Sequence, residues 1–408
     1  MPAKAGLDRR FQLSRPVAFW GVAAILALML FASSAPSPLY VVYQAEWDFS
    51  AVTLTSVFAV YALALLVTLV FAGSVSDHVG RRKALLLALG IEIFSMVAFA
   101  EAQGVGWLFA ARILQGVATG LAMGTVSAAL LDLQPKDNDR LGAVVGVAAP
   151  LSGLATGALV TGLLVQYGPA PTHFVYWLMV AAFVLAIPFA ASIPETVEGS
   201  GRWLDGLRPR VSVPPDLRVP FLAAIPCLVA VWALGGLILS LAPSLISSVL
   251  GNDNHVAGGL PIFIMAGVSA VASVQLRDAH ARTTARGGLT ALIAGVAVVL
   301  AAIAVESTGL FLVGTAIAGL GFGPAFAGAF RAISTQAPKN ERAALVSAIL
   351  TVAYLAFSLP AVAAGAAVTQ VGLEETAYVY GAALILLAGI ALALSHQLED
   401  PQSNLATA

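Results

Sequence analysis

The positively charged residues of this chain are confined to alternate gaps between long apolar segments. Twelve apolar segments follow one another, and each is long enough to cross a bilayer core as a helix, which takes about 20 residues. Of the 20 Lys and Arg residues, all except Arg112 lie in the N-terminal stretch or in the even-numbered gaps, and the odd-numbered gaps have none. This alternation indicates repeated membrane crossing with the basic gaps in the cytoplasm. We therefore predict an all-α integral membrane protein with both termini cytoplasmic.

The predicted spans, numbered one to twelve, are Val17–Tyr40, Val52–Phe71, Ala84–Ala100, Val105–Leu131, Leu141–Val165, Phe174–Ile193, Val219–Leu241, Val256–Leu276, Gly287–Val305, Gly309–Phe330, Ala343–Val371 and Ala377–His396. The first span follows a basic stretch, as the apolar core of a secretory signal does. It is longer than the roughly 7 to 15 residues of such a core, and eleven spans follow it. We interpret it as the first membrane helix.

Composition excludes several classes of function. Hydrophobic residues make up 59% of the chain and charged residues 10%, which leaves too little polar surface for a soluble globule of this length. The net charge of −1 gives no electrostatic footprint for nucleic acid. The single cysteine, Cys227, excludes a disulfide framework, and no His, Cys or acidic cluster has metal-ligand spacing. We expect no metal, no cofactor and, because the loops are too short for a catalytic domain, no enzyme activity.

The longest polar interval divides the spans into two sets of six. It covers residues 195–218 and is rich in Gly, Pro and Arg. We predict an N-terminal six-helix bundle over residues 1–194, a cytoplasmic linker over 195–218, and a C-terminal bundle with a short tail over 219–408. Two matched bundles around a cytoplasmic linker are typical of transporters that bind their substrate between the halves.

Glycines recur every fourth residue on two neighbouring spans. Small residues at this spacing let helices approach closely. On span four the residues are Gly116, Gly120 and Gly124, and on span five they are Gly142, Gly146, Gly153 and Gly157, on either side of Pro150. Helix packing alone explains any isolated pair of this kind, so the wider sequence context decides whether the stripes have a further role.

Three motifs resemble those of the major facilitator superfamily (MFS). The loop after span two reads Gly73-Ser-Val-Ser-Asp77-His-Val-Gly80-Arg81-Arg82-Lys83, span four contains Arg112-Ile-Leu-Gln115-Gly116-Val-Ala-Thr-Gly120, and span five contains Gly142-x-x-x-Gly146-x-x-Ala149-Pro150-x-x-Gly153. The third motif is similar to that of the proton-coupled drug and metabolite exporters, although Ala149 replaces the usual glycine. The resemblance implies the MFS fold, a small-molecule substrate and transport by alternating access.

The loop motif resembles a conformational gate. Asp77 lies at the inner end of span two, where a carboxylate can accept hydrogen bonds from the first amides of another helix. The family implies span eleven as that helix, and it implies a pair between Arg81 and Asp132. Gly80 would allow the tight turn between them, and Arg82 belongs to the same motif. Contacts made in only one conformation would set which side of the transporter is open.

Two ionisable residues lie deep in the predicted spans. Buried charges in a membrane are costly and mark functional sites. Arg112 shares a helix face with Gln115 and Thr119, a polar stripe suited to a wet cavity, and Glu92 shares a face with Ser95. The two charges could form a structural pair, or Glu92 could exchange protons. Burial and a neighbouring cation shift the pKa of the Glu92 carboxyl in opposite directions, so both roles stay open.

The substrate cavity is expected, by resemblance, between spans one, four, seven and ten. Its aromatic candidates are Tyr40, Tyr61, Trp232 and Phe326, which suit a lipophilic solute. Scarce buried charge argues against a multiply charged substrate.

We predict a functional monomer in a bacterial inner membrane that exports a small lipophilic or uncharged compound against protons. The alternatives are a sugar or amino-acid-derivative transporter of the same fold and, from another class, a non-transporting membrane sensor or a lipid flippase.

Overall fold

The computed structural model describes residues 12–138, 140–197, 206–207, 209, 211–338 and 341–395. These residues contain twelve helices that are long and apolar enough to cross a membrane, and they contain no strand. Spans one to twelve cover Arg15–Trp47, Ala51–Ala72, Arg81–Ala100, Val105–Leu133, Leu141–Tyr167, Phe174–Ala191, Pro215–Val249, His255–Gln275, Ala281–Ala304, Thr308–Ser334, Arg342–Val371 and Leu373–Leu394. The predicted all-α membrane architecture is confirmed.

Spans one and seven are longer and less regular than the sequence predicted. Span one consists of two helices, Arg15–Ser34 and Pro36–Trp47, separated at Ala35. A proline has no N–H, so Pro36 cannot continue the hydrogen-bond ladder of the first helix. In span seven the α-helix Arg218–Ser244 passes into a π-helix over Leu245–Val249. The sequence placed the end of this span at Leu241, before the irregular turn.

The two halves of the chain contact each other through spans two and eleven and through spans five and eight. Gly365 of span eleven lies directly against Thr55 and the carbonyl of Ala51, at the end of the bundle that carries the acidic gaps. Between spans eight and five, Gly259 lies against the carbonyl of Ala158. Close approach of this kind needs a residue without a side chain. The predicted linker, residues 195–218, falls partly outside the described residues, so the division into domains stays a prediction.

The glycine stripes of spans four and five are helix-packing surfaces. Gly116 and Gly120 lie against the backbone carbonyls of Tyr61 and Leu65 on span two. On span five, a Cβ at Gly153 would collide with the carbonyl oxygen of Ala27 on span one.

The remaining stripe glycines follow the same pattern with one exception. Gly124 lies against Gly73, Gly142 against Gln134, and Gly157 against the carbonyl of Phe31 on span one. A Cβ added at Gly146 would make only an ordinary contact, 3.9 Å from Leu130 Cδ1. Pro150 lies inside the continuous helix of span five. Most of the stripe therefore brings spans one, two, four and five into close contact.

Candidate functional site

A fully buried guanidinium organises the core of the first half. Arg112 of span four has no exposed surface. Its Nε donates to the hydroxyl of Tyr40 at 2.8 Å, and one terminal nitrogen donates to the carbonyl of Ser33 at 2.9 Å and to Gln115 Oε1 at 2.6 Å. The cation also lies 5.2 Å from the ring centre of Tyr61. Hydrogen bonds and aromatic faces thus stabilise a charge that would otherwise be very costly to bury.

The break in span one supplies acceptors to this cluster. In a regular helix, the N–H of residue 36 would donate to the carbonyl of Ala32. Pro36 has no N–H, and the Ala32 carbonyl accepts instead from Gln115 Nε2 at 3.0 Å. The neighbouring Ser33 carbonyl accepts from Arg112. The missing N–H of Pro36 thus frees the Ala32 carbonyl for span four, and the adjacent Ser33 carbonyl provides a second acceptor at the break.

Gln115 lies between the two buried ionisable residues. Its Nε2 donates to Glu92 Oε1 at 3.2 Å, while its Oε1 accepts from Arg112. Glu92 is fully buried, and its second oxygen, Oε2, has no hydrogen-bond partner. Within the part of the chain that the structure describes, no ion pair joins Glu92 to Arg112. The suggested direct pair is therefore replaced by a bridge through the Gln115 amide.

Two of the four aromatic cavity candidates lie elsewhere than predicted. Tyr40 and Tyr61 are enclosed in the core of the first half, where both contact Arg112. In this conformation they hold the guanidinium and do not line an open cavity. The polar stripe of span four is likewise buried at Gln115 and Thr119. A charged residue without a carboxylate partner attracts aromatic faces and hydroxyls, which explains the change of role.

The other two candidates belong to an aromatic cluster in the second half. The ring of Trp232 lies 5.5 Å from Phe326, 4.9 Å from Tyr354 and 5.7 Å from Phe357. The Nε1 of Trp232 is buried and has no hydrogen-bond partner. The hydroxyl of Tyr354 reaches Met123 Sδ on span four at 3.5 Å, so the cluster touches the first half. This largely apolar cluster, with one unpartnered donor, lies at the boundary between the halves.

The loop after span two brings charged residues of three segments together. Arg81 Nε lies 3.4 Å from Asp132 Oδ2, so the predicted pair is present. Arg81 also pairs with Asp77. Asp77 has half of its side chain exposed, and its expected contact with span eleven is absent from the described residues of this conformation. That contact stays a prediction for the opposite conformation.

A carboxylate that sequence reasoning did not select caps span three. Glu195 accepts hydrogen bonds from the backbone N–H of Arg81 at 2.7 Å and of Arg82 at 3.1 Å. These are free amides at the start of the helix, where the helix dipole favours negative charge. The next residue, Thr196, donates to Asp132 Oδ2 at 2.8 Å. The sequence signal for this role is an acidic residue that follows directly after the end of span six.

Glycine is required at the turn before this cap. Gly80 has φ of +98° and lies against the carboxylate of Glu195. A side chain at this position would be strained and would also displace the carboxylate. The predicted tight turn at Gly80 is confirmed. Gly73, which ends span two, lies next to Gly124 of span four.

A groove of about 910 Å³ opens at the end of the bundle that carries the basic loops, which we call the basic face. It lies between span five of the first half and spans eight and ten of the second. Its rim contains Arg140, Arg277 and Arg331. Arg140 donates to Asp278 Oδ1 at 3.0 Å across the two halves. The halves are thus packed closely at the opposite face, while at this one a groove lies between them beside the ion pair.

The described residues contain no group of three or more His, Cys, Asp or Glu side chains able to hold a metal ion. Cys227 is buried in span seven, with its Sγ 3.7 Å from the carbonyl of Ala325.

The sequence model of the Major Facilitator Superfamily matches residues 22–359. The chain belongs to this superfamily. The match includes the loop after span two, the Arg112 cluster and most of the second half, and it agrees with the multi-pass membrane architecture.

Three relatives that are named as transporters agree with this assignment. The MFS-type transporter paaT of Penicillium rubens is 30% identical over 129 residues, 31% of this chain and 23% of the relative. An uncharacterised MFS-type transporter of Mycobacterium tuberculosis is 27% identical over 33% of this chain and 25% of its own length. Polyamine transporter 2 of Saccharomyces cerevisiae is 27% identical over 30% of this chain and 20% of its own length. The matched segments thus span a quarter or less of each relative.

Proposed function

We propose that this MFS protein exports a small lipophilic or uncharged compound in exchange for protons, by alternating access. The observation that carries the proposal is Glu92, a carboxyl group that is fully buried in the membrane-spanning core, with one oxygen unpartnered. An intramembrane acid of this kind is typically part of a proton pathway. Because Gln115 separates it from Arg112, Glu92 can gain or lose a proton without breaking a direct ion pair.

The arrangement of the two halves supports alternating access. Gly365 and Gly259 bring the halves into close contact near the face opposite the basic loops, while a groove lies between them at the basic face. This asymmetry is expected of one end state of a rocking transporter. The face with the basic loops would then be the side from which a solute enters.

The aromatic cluster supports the substrate class. Trp232, Phe326 and Tyr354 offer a largely apolar surface, and the unpartnered Nε1 of Trp232 can donate one hydrogen bond to a solute. A buried donor without a partner costs free energy, and a solute acceptor would recover it. We therefore expect a compound with an apolar ring system and at least one acceptor.

A polycationic substrate, as the name of the yeast relative implies for that protein, is less well suited to this site. A buried polyamine would need several carboxylates around it. Within the described part of the spans, Glu92 is the only fully buried acid. A sugar would need several polar partners, and the Trp232 cluster offers few.

The basic loops are expected in the cytoplasm, and the protein in the inner membrane of a bacterium as a functional monomer. The Lys and Arg distribution supports this orientation. Reporter tags inserted near Asp253 and near Arg282 would then report opposite compartments. Both tags on the same side would contradict the orientation.

Vesicles with an imposed pH gradient test the transport proposal. Purified protein in proteoliposomes is offered ethidium and a panel of labelled sugars, with the lumen either more acidic or more alkaline than the outside. If the protein is an antiporter, we expect ethidium uptake only into acid-loaded vesicles, because protons leave as the solute enters. This expectation holds for either orientation of the protein in the vesicle. Uptake driven by external acid would indicate a symporter, and uptake of sugars alone would overturn the substrate class.

A further inference from the structure

The groove at the basic face combines a cationic rim with an apolar wall. Arg140 precedes span five, and below it Val144 and Val147 line the groove on the same helix face. These positions extend about 10 Å into the span, at 1.5 Å per residue. Val147 keeps 42% of its surface exposed. Phe330 lies on the opposite wall.

The rim carries more positive than negative charge. Asp278 is the only acid among the residues that line the groove, and it contacts two arginines: Arg140 at 3.0 Å and Arg277 at 3.2 Å. The side chains of these arginines are 79% and 53% exposed. Arg331 donates to the carbonyl of Arg277 and so lies beside it.

We propose that this groove binds an anionic phospholipid from the adjacent leaflet. The phosphate would lie among Arg140, Arg277 and Arg331, and an acyl chain would lie along Val144 and Val147. Charge complementarity and the order of cationic rim and apolar wall favour a lipid over a free anion, because a free anion would use only the rim. Basic pockets between membrane helices on the cytoplasmic side bind anionic headgroups in this way.

The site is shared by both halves of the transporter. Arg140 belongs to the first half, and Arg277 and Arg331 belong to the second. A lipid that contacts both halves would stabilise the conformation in which the groove exists. The inference is independent of proton coupling, so it survives if the proposed transport reaction is wrong.

Lipid retention by the full-length protein tests the proposal. Native mass spectrometry in detergent would compare phosphatidylglycerol with phosphatidylcholine for the wild type and for Arg140→Gln/Arg277→Gln. The control, Lys83→Gln/Arg286→Gln, removes the same charge from exposed residues of the basic face that do not line the groove. We expect the groove variant to bind phosphatidylglycerol about 25-fold more weakly, at about fivefold per cation. The control should retain wild-type affinity.

A second variant separates binding from structural damage. Asp278→Asn breaks the same ion pairs as the double variant but leaves both cations, so phosphatidylglycerol should bind more tightly. Any of three results would overturn the proposal. The groove and control variants could lose the same affinity for phosphatidylglycerol, Asp278→Asn could bind it more weakly, or the wild type could retain phosphatidylcholine equally well. Glycerol phosphate should compete poorly because it has no tail. Competition equal to that of the lipid would indicate a free-anion site instead.

Discussion

The side-chain amide of Gln115 donates to Glu92 across the interface between spans three and four, with 3.2 Å between Nε2 and Oε1. The same amide accepts from Arg112 through its Oε1. A neutral group therefore keeps the buried acid close to the buried cation without a direct ion pair. This spacing leaves one oxygen of Glu92 free to carry a proton.

Glu92→Gln should uncouple transport from the pH gradient. The substitution keeps the size and the hydrogen-bonding capacity of the side chain but removes the exchangeable proton. We expect loss of gradient-driven solute uptake, while exchange of labelled for unlabelled solute without a gradient stays within about twofold of wild type. Glu101→Gln, at the exposed end of span three, serves as the control. Full gradient stimulation in Glu92→Gln would exclude this residue as the proton carrier.

Arg112→Gln should destabilise the first half of the protein. The Tyr40 hydroxyl and the Ser33 carbonyl would each lose a charged donor, and an unsatisfied buried group costs about 1–3 kcal/mol. We expect the free energy of unfolding to fall by about 3 kcal/mol or more, measured by chemical denaturation in micelles. Arg286→Gln, an exposed arginine, should change it by less than about 0.5 kcal/mol. Similar effects of the two substitutions would contradict a structural role for the Arg112 cluster.

Gly153→Val should impair packing far more than Gly146→Val. A side chain at Gly153 meets the backbone of span one at Ala27, whereas a Cβ at Gly146 would make only an ordinary contact with Leu130. Overpacking of this kind costs about 1–3 kcal/mol. Thermal unfolding followed by size-exclusion chromatography would measure the difference. If both variants lose stability equally, the stripe is not a specific contact surface.

Asp77→Asn should shift the protein toward the conformation in which the groove is open. In this conformation Asp77 is half exposed and pairs with Arg81, and its predicted contact with span eleven would form only in the opposite state. We expect reduced flux and faster labelling of a cysteine introduced at Val147, in a background in which Cys227 is replaced by alanine. Asp216→Asn provides an exposed acid as control. Unchanged labelling and flux would refute the gate.

Much of the fold followed from the sequence because it depends on local properties. Apolar length and charge alternation set the spans, and the need for positive φ set the turn at Gly80. The pair between Arg81 and Asp132 was predicted from the family resemblance. The rotation of span four about its axis depends on how glycines and prolines of several helices fit together. For that reason the roles of Tyr40 and Tyr61 could not be predicted.

The residues that sequence reasoning missed are brought in from distant segments. Glu195 lies more than a hundred positions after the amides that it caps. The Ala32 carbonyl became available to Gln115 only because Pro36 interrupts span one. The groove at the basic face needs the relative placement of spans five, eight and ten, which no periodicity in a single span reveals.

The coupling of solute to proton movement is the central claim, and it is tested by recording both fluxes in the same proteoliposomes. A pH-sensitive dye in the lumen of lightly buffered vesicles would follow protons while a lipophilic solute such as ethidium is added outside. We predict that solute entry makes the lumen more alkaline in the wild type and leaves its pH unchanged in Glu92→Gln. Solute entry without any proton movement in the wild type would contradict the account.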